Sequence, residues 1–337
     1  LVCEFVIQRH VGIDFFQRYH GHGWPSMLRQ SRACRSKLPR GGAAFDAYHG
    51  EAYGERWPLL KASLLKPQRR LQRLNLFSST QPIMYKAWPQ AASVCYAEEG
   101  DAGNQDLRPK PFYSMDAASV LAAEALGCQP SDDVLDMCAA PGGKTLILAE
   151  ALASGRGELT ANDLSSERGH RLRRVVQEHV GAEMADRVLF AKVDGQKWGQ
   201  THAQRFDRVL LDAPCSGERY LLEHDEELRM WTTGRSRNLR LRQFSLLSSA
   251  FLALKVGGRL VYSTCSINSK ENDGVIDKLL RRRRGSVEVV KYEPPATTNV
   301  RDDERIDEPT DHGRATLPDR AQGFGPGYFA VLQRTAI

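Results

Sequence analysis

The stretch "LDMCAAPGGKT", residues 135–145, leaves a compact apolar strand, "DDVLDMC" (132–138), and enters a segment of helical periodicity, "GGKTLILAEALA" (142–153), through small residues and two glycines. Outward from it the alternation repeats. "GELTAND" (157–163) reads as a second strand and "SSERGHRLRRVVQEHV" (165–180) as a charged helix. "VLFAKVD" (188–194), "DRVLLDAP" (207–214) and "GRLVYSTC" (258–265) are further strands, with helices at "LRQFSLLSSAFLAL" (241–254) and "SKENDGVIDKLL" (269–280). "VEVVKYE" (287–293) and "YFAVLQR" (328–334) read as the last strands. This pattern predicts an α/β fold, a mostly parallel sheet with helices on both faces. In such sheets ligands gather beyond the carboxyl ends of the strands, at the topological switch point. Asp136, Asp163, Asp194, Asp212, Cys215 and Cys265 all fall at expected strand ends.

The turn at 135–145 lets backbone N–H groups approach a ligand closely. Gly143-Lys144-Thr145 supplies the end of a P-loop, but Cys138 stands where that pattern needs its first glycine. The dinucleotide pattern G-x-G-x-x-G fails as well. Asp163, 27 residues after Asp136, is placed to accept hydrogen bonds from both hydroxyls of a ribose, and Asp194 to meet an adenine amino group. Each acid alone would more often be a helix N-cap. Three in equivalent places favour a nucleoside pocket, and the missing phosphate cradle points to S-adenosylmethionine.

Composition sets the outer bounds. The chain has 337 residues, 41% hydrophobic and 26% charged, as expected of a globular protein with one large domain or one domain with a smaller partner. No apolar run of membrane-spanning length occurs. The net charge of +6 suits a nucleic-acid partner without demanding one. Seven cysteines with no C-x-x-C pair give no support to a disulfide framework or a zinc site, so no metal is expected. Residues 1–42 carry seven Lys/Arg against two acids, a balance like that of an organellar transit peptide or a basic tail. Residues 43–97 look mainly helical, and "AEEGDAGNQDLRPKP" (97–111) reads as a linker or exposed loop. Three regions result: a basic segment at 1–42, a helical RNA-binding region with its linker at 43–111, and a catalytic domain at 112–337. The arginine run 281–284 reads as a solvated helix end or an RNA contact.

Two thiols at two strand ends, fifty residues apart, suit one reaction well. Cytosine C5 is a poor nucleophile. A thiolate adding at C6 turns C5 into an enamine carbon able to attack a sulfonium methyl, and a carboxyl group at N3 assists. "DAPC" supplies Asp212 and Cys215; "STC" supplies Cys265. N6-adenine methylation would instead favour an aromatic residue after the proline. Residue chemistry alone leaves open which thiol attacks.

"DMCAAPGGKT", "DAPCS" and "YSTCS", in this order, resemble the RNA (cytosine-5)-methyltransferases of the NSUN (Sun-domain) family. The resemblance covers roughly 112–334. "FYSMDAAS" (112–119), "ANDLS" (161–165), "DGQKWG" (194–199) and "FGPGYF" (324–329) look most like its mitochondrial small-subunit rRNA branch, and "FDAYHGEAYGERWPLLKASLL" (45–65) is similar to that branch too. Met115 stands where the general family pattern has Gln. The resemblance implies a Rossmann-like S-adenosylmethionine-dependent methyltransferase in the mitochondrial matrix. Cys265 would be the nucleophile, Cys215 would assist release, and Asp212 would hold N3. Cys138, Ala139, Ala140, Pro141, Gly142, Gly143 and Lys144, with Asp163, Arg168, Asp194 and Asp212, would surround the cofactor. It also implies a helical-repeat partner of the mitochondrial transcription-termination-factor type.

"LRMWTTGRSRNLRLR" (228–242) holds five arginines and one tryptophan and no acid. Arg229, Arg235 and Arg237 are candidate phosphate contacts, and Trp231 is a candidate platform for an unpaired base, unless the segment is a solvated basic helix. Lys66, Arg69 and Arg70 in "KPQRRLQR" (66–73) are a second candidate surface. The target base is expected to be everted. Methylation of mitochondrial rRNA is the leading expectation. The same reaction on organellar tRNA, and a ribosome-assembly role with secondary methylation, are the alternatives.

Overall fold

A computed structural model of the chain describes residues 40–79, 89–91, 95–97, 107–294, 300–301 and 304–336. The expected basic segment lies outside these residues except for positions 40–42, as does most of the 97–111 linker. The N-terminal part opens with α1 (Gly41–Tyr53) and α2 (Trp57–Leu64). Their apolar side, Phe45, Trp57, Leu60 and Leu64, is buried.

The helical pattern expected through residue 97 ends there. β1 (Leu71–Leu74) pairs antiparallel with both β2 (Cys95–Ala97) and β3 (Phe112–Met115) in a three-stranded sheet. Leu71 and Arg73 face inward, the period-2 burial of a strand. Four residues are too few to show that period in sequence, and the pairing partner lies about forty residues further on. Arg73 is buried because Glu150 accepts a 2.6 Å ion pair from it. That contact ties the small sheet to the main domain.

The main domain runs in order through α3 (Ala117–Glu124), β4 (Val134–Asp136), α4 (Gly143–Leu152), β5 (Leu159–Asn162), α5 (Ser166–His179), α6 (Ala182–Ala185), β6 (Val188–Ala191), α7 (Trp198–Thr201) and β7 (Phe206–Asp212). It continues through α8 (Glu218–Glu223), α9 (Asp225–Arg229), α10 (Thr233–Ala253), β8 (Leu254–Thr264), α11 (Asp273–Arg282), β9 (Val287–Val290), β10 (Glu308–Pro309), β11 (Arg314–Thr316) and β12 (Gly327–Arg334). The nine strands take the order β10-β11-β12-β8-β7-β4-β5-β6, with β9 also on β12. β6, β5, β4, β7 and β8 are parallel; β12 is antiparallel to β8.

The central strands are apolar without a break because both faces are covered. Val134, Leu210 and Val261 pack on the α3–α5 side, while Leu135, Val209, Leu211, Leu260 and Tyr262 pack with α10 and α11. α10 starts eight residues earlier than its apolar periodicity suggests. The Thr232 hydroxyl accepts from the Arg235 amide and caps it, so the arginine-rich segment is its first turns. β4 is the switch point: β5 departs to one side and β7 to the other.

α1 and α2 pack outside the segment after β7, in a third core with Leu221, Leu222, Trp231 and Ile267. Trp231 is only 2% exposed and meets Phe45 edge-on, with centroids 5.4 Å apart. It is therefore not available to stack on RNA. A large aromatic among arginines reads as a base platform, but the α1–α2 pair supplies an apolar slot that outweighs its neighbours' polarity.

Candidate active site

β4 ends at Asp136 and the chain then turns through Cys138–Gly142 into α4. Gly142 has φ +118°, outside the range of ordinary L residues, and a Cβ on Gly143 would lie 2.7 Å from the Tyr113 ring. The glycines are therefore dictated by backbone geometry and close packing. Asp136 is buried; one carboxyl oxygen accepts from Thr145 at 2.7 Å, and the other has no partner among the described residues. Burial pushes its pKa up to about 7.

Asp163 follows β5 directly. Its carboxyl is buried, accepts from the Ser165 amide at 2.9 Å and lies 3.5 Å from Arg168. Arg168 donates to the Ala140 carbonyl at 2.6 Å, bridging the acid and the glycine turn. Asp194 stands three residues beyond β6 rather than at its tip, and caps a short turn by accepting from the Gln196 amide at 3.1 Å. A cavity of about 110 Å³ between α5 and β5–β6 touches Asp163 but is too small for a nucleoside.

β7 ends at Asp212, beside β4. The Asp212 carboxylate accepts from Lys144 at 2.8 Å and from the Ser263 hydroxyl at 2.9 Å. Burial opposes the charge on Lys144, but Asp212 and then Asp136 outweigh it and raise its pKa. Lys144 therefore joins the glycine turn to the carboxylate of "DAPC", a link that sequence reading assigned only to the cofactor side.

Cys215 and Cys265 meet. Their sulfurs lie 2.6 Å apart, and the Cys265 amide donates to the Cys215 sulfur at 3.3 Å. Cys265 is exposed, whereas Cys215 sits behind it, half-buried. The contact with Cys265, burial and the Cys265 charge hold the Cys215 thiol well above the ordinary range. Cys215 accordingly holds its proton at neutral pH, and the outer sulfur is the one open to solvent. Cys95, buried, and Cys128, half-buried, are thiols pushed up to about 12 by desolvation.

Sequence reading missed two acids behind the thiols, Glu218 and Glu271, both buried among neutral donors. Each follows its cysteine in sequence, three and six residues on. That regularity was the available signal. Of the expected RNA-contact residues, Arg229 and Arg237 are exposed, Arg235 pairs with Glu227 at 2.8 Å, and Lys66 is exposed at the end of α2. Arg69 covers the Phe324 ring at 4.7 Å and donates to the Gln322 carbonyl, and Arg70 is half-buried.

A family model described as 16S rRNA methyltransferase RsmB/F matches residues 123–326. The 5-cytosine rRNA methyltransferase NSUN4 of Bos taurus is 30% identical over 94% of this chain and 93% of its own length. The chain belongs to the RsmB/F family. Within this family it groups with NSUN4, the mitochondrial rRNA branch. A Mus musculus mitochondrial tRNA (cytosine(34)-C(5))-methyltransferase is 32% identical over 67% of this chain and 64% of that protein. Among solved structures, a methyltransferase homologue from Pyrococcus horikoshii superposes with a TM-score of 0.66 at 24% identity, over 87% of this chain and 95% of that one. This RsmB/F chain is an RNA cytosine-5 methyltransferase whose methyl donor is S-adenosylmethionine. The residues around the RsmB/F turn fit such a group: a glycine turn without a phosphate cradle, a buried acid at the second strand end, and a buried carboxyl oxygen on Asp136 that lacks a protein partner.

Proposed function

We propose that this enzyme methylates C5 of cytosine in mitochondrial small-subunit rRNA, in the matrix, through a covalent bond between the Cys265 sulfur and cytosine C6. The observation that carries the reading is the paired thiols, one exposed and one protonated behind it, beside an ion-paired aspartate. The Cys265 thiolate adds to C6, and the displaced electron pair makes C5 nucleophilic. Asp212, ion-paired with Lys144, stands beside N3, which takes a proton from solvent as the adduct forms and returns it when the C6–S bond breaks. S-adenosylmethionine supplies the electrophilic methyl group. Cys138–Lys144, Asp163, Arg168 and Asp194 would hold it, with Asp163 as the acceptor for its ribose hydroxyls.

Release then requires loss of the C5 proton and cleavage of the C6–S bond, which returns the Cys265 thiolate. Cys215 serves this half of the cycle. Once Cys265 is a neutral thioether, its charge no longer opposes ionisation of Cys215, which passes its proton to solvent and takes that of C5 as the C6–S bond breaks, so that it ends the cycle protonated. The order of the two steps is thus written into the coupling of the two sulfurs.

The preference for rRNA is supported by NSUN4 relatives matching 92–94% of the chain. A tRNA substrate is the second reading, favoured by the Danio rerio mitochondrial tRNA enzyme, 32% identical over 86% of this chain. Arg229, Arg237, Lys66 and Arg69 are the phosphate contacts of this proposal. The helical-repeat partner is tested by co-purification from mitochondria. The deciding experiment traps the covalent species on a denaturing gel, with donor and either rRNA or tRNA. An RNA adduct should accumulate with Cys215→Ala and be absent with Cys265→Ala. The reverse pattern would exchange the two roles, and an adduct with tRNA alone would replace the substrate.

A further inference from the structure

Behind the two thiols lies a layer of buried polar side chains that the reaction does not touch. Glu271, 0% exposed, stands six residues after Cys265, yet its Oε2 accepts from the Ser216 amide at 3.0 Å, the residue after Cys215. The same oxygen accepts from Gln243 at 2.9 Å, and Gln243 donates also to the Pro214 carbonyl, just before Cys215. Its Oε1 accepts from the Ser236 hydroxyl at 3.2 Å and Asn268 at 3.4 Å. The Tyr262 hydroxyl donates to the Glu271 carbonyl at 2.6 Å. The Cys215 loop is therefore gripped on both sides by a residue of the Cys265 loop.

The grip is reciprocal. Glu218, 1% exposed and belonging to the Cys215 loop, accepts from the hydroxyls of Ser216 and Ser266 through Oε1 and from the Ile267 amide at 3.1 Å through Oε2. Ser266 and Ile267 follow Cys265. Asn272, next to Glu271, accepts from the Thr264 hydroxyl at 2.6 Å and donates to the Ser266 carbonyl at 2.9 Å, holding both neighbours of Cys265. No cation pairs with either glutamate among the described residues, so their charge is met by neutral donors alone. Two buried carboxyl groups in one shell are costly. A stability role would be met better by apolar side chains.

We infer that Glu218 and Glu271 are positioning residues that lock the Cys215 and Cys265 loops into one register, so that the separation of the two thiols is set by this acid pair and not by the strands that carry them. The catalytic meaning of the inference rests on the two-thiol reading above; the geometric claim does not. A parallel sheet fixes its strands, but Cys215 lies three residues beyond β7 and Cys265 one beyond β8, where no ladder holds them. Taking the C5 proton at Cys215 while Cys265 holds C6 tolerates little error in that separation.

The test needs neither RNA nor donor. Diamide oxidises the two thiols to a disulfide, taking two electrons and two protons into its azo bond, and the rate reports how well the sulfurs meet. The Cys215–Cys265 cross-link is quantified by peptide mass spectrometry and normalised to alkylation of each thiol. Glu271→Ala and Glu218→Ala should slow it about tenfold or more. Glu271→Gln should restore most of the rate, because its amide can donate to the Ser236 hydroxyl while its oxygen keeps the Ser216 and Gln243 bonds. Glu150→Ala breaks the buried pair with Arg73 and serves as the stability control; it should lower the melting temperature and leave the rate alone. Should the alanine variants not fold, the double variant Ser216→Ala/Ser266→Ala removes the hydroxyls bound to Glu218 and should slow the cross-link in the same way. Wild-type rates in the glutamate variants, or an equal loss with Glu150→Ala, would overturn the inference. RNA trapping with the cysteine variants separately judges the reaction: if trapping fails while the cross-link still depends on the glutamates, the positioning role stands and the catalytic reading falls.

Discussion

Three carboxylates flank the thiols, and they are of two kinds built in opposite ways. Asp212 opens toward the substrate side, with its side chain 33% exposed, and is paired with Lys144. Glu218 and Glu271 are buried behind the sulfurs and meet only amides and hydroxyls. A carboxylate that must stay ionised beside a changing charge is given a cation. One that only fixes geometry can be held by neutral donors, even at the cost of its acidity. Burial and then the Glu271 charge raise Glu218 to about 7.

The largest expected effect comes from breaking the exposed side of this contrast. Asp212→Asn keeps the shape and the Ser263 bond but removes the acceptor charge at N3. Methylation should fall about 10²–10³-fold, the scale of losing one preorganised electrostatic partner. Lys144→Met should lose a similar factor, since it leaves Asp212 without its cation. Single-turnover kinetics should put the loss in adduct formation rather than in RNA binding. Equal activity in Asp212→Asn would mean that N3 is held elsewhere.

The buried side should show itself in stability. A carboxyl group whose folded pKa lies above the unfolded value of 4.5 favours the fold in its protonated form, and that stability disappears as pH rises through about 7. Asp136 shifts in the same direction and to a similar value. The buried His49, lowered to about 4, works the other way and costs stability only as pH falls below about 6.5. As pH rises from about 5 to 7, therefore, Glu218 and Asp136 should lower the melting temperature while His49 raises it, and Glu218→Gln should gain about 1–3 kcal/mol on the wild type across that window. An unchanged slope in the variant would assign the titration to Asp136.

These contrasts were unevenly legible in sequence. The alternation from Asp136 to Cys265 revealed the sheet, because strands buried on both faces are continuous apolar runs and their helices are periodic. The glycine turn, Asp163, Asp212 and both cysteines stood out because each is a polar or special residue at a strand tip. Pairing across long separations was not legible. β1 needed β3 to become a strand, Trp231 needed Phe45 and Trp57 to become core, and Glu271 needed Ser216, 55 residues away, to become more than an acid at the start of a helix. Asp194 shows the reverse: the N-cap weighed for a lone acid is the bond the structure contains.

The smallest effects lie on the surface, where the rule relating charge to partner should also hold. Arg235 and Arg237 are neighbours on the first turns of α10, but Arg235 already pairs with Glu227, while Arg237 is exposed with no ion-pair partner among the described residues. An arginine that is already neutralised releases few counterions when RNA binds. Arg237→Ala should weaken RNA binding evenly across sequences and lower the slope of log K against log salt by about one. Arg235→Ala should change that slope little, because the guanidinium lost was compensated by Glu227. Filter binding across a salt series separates the two. If both variants lose the same slope, the Glu227 pair opens when RNA arrives, and charge on this helix is exchanged rather than held, the opposite of what Lys144 does for Asp212.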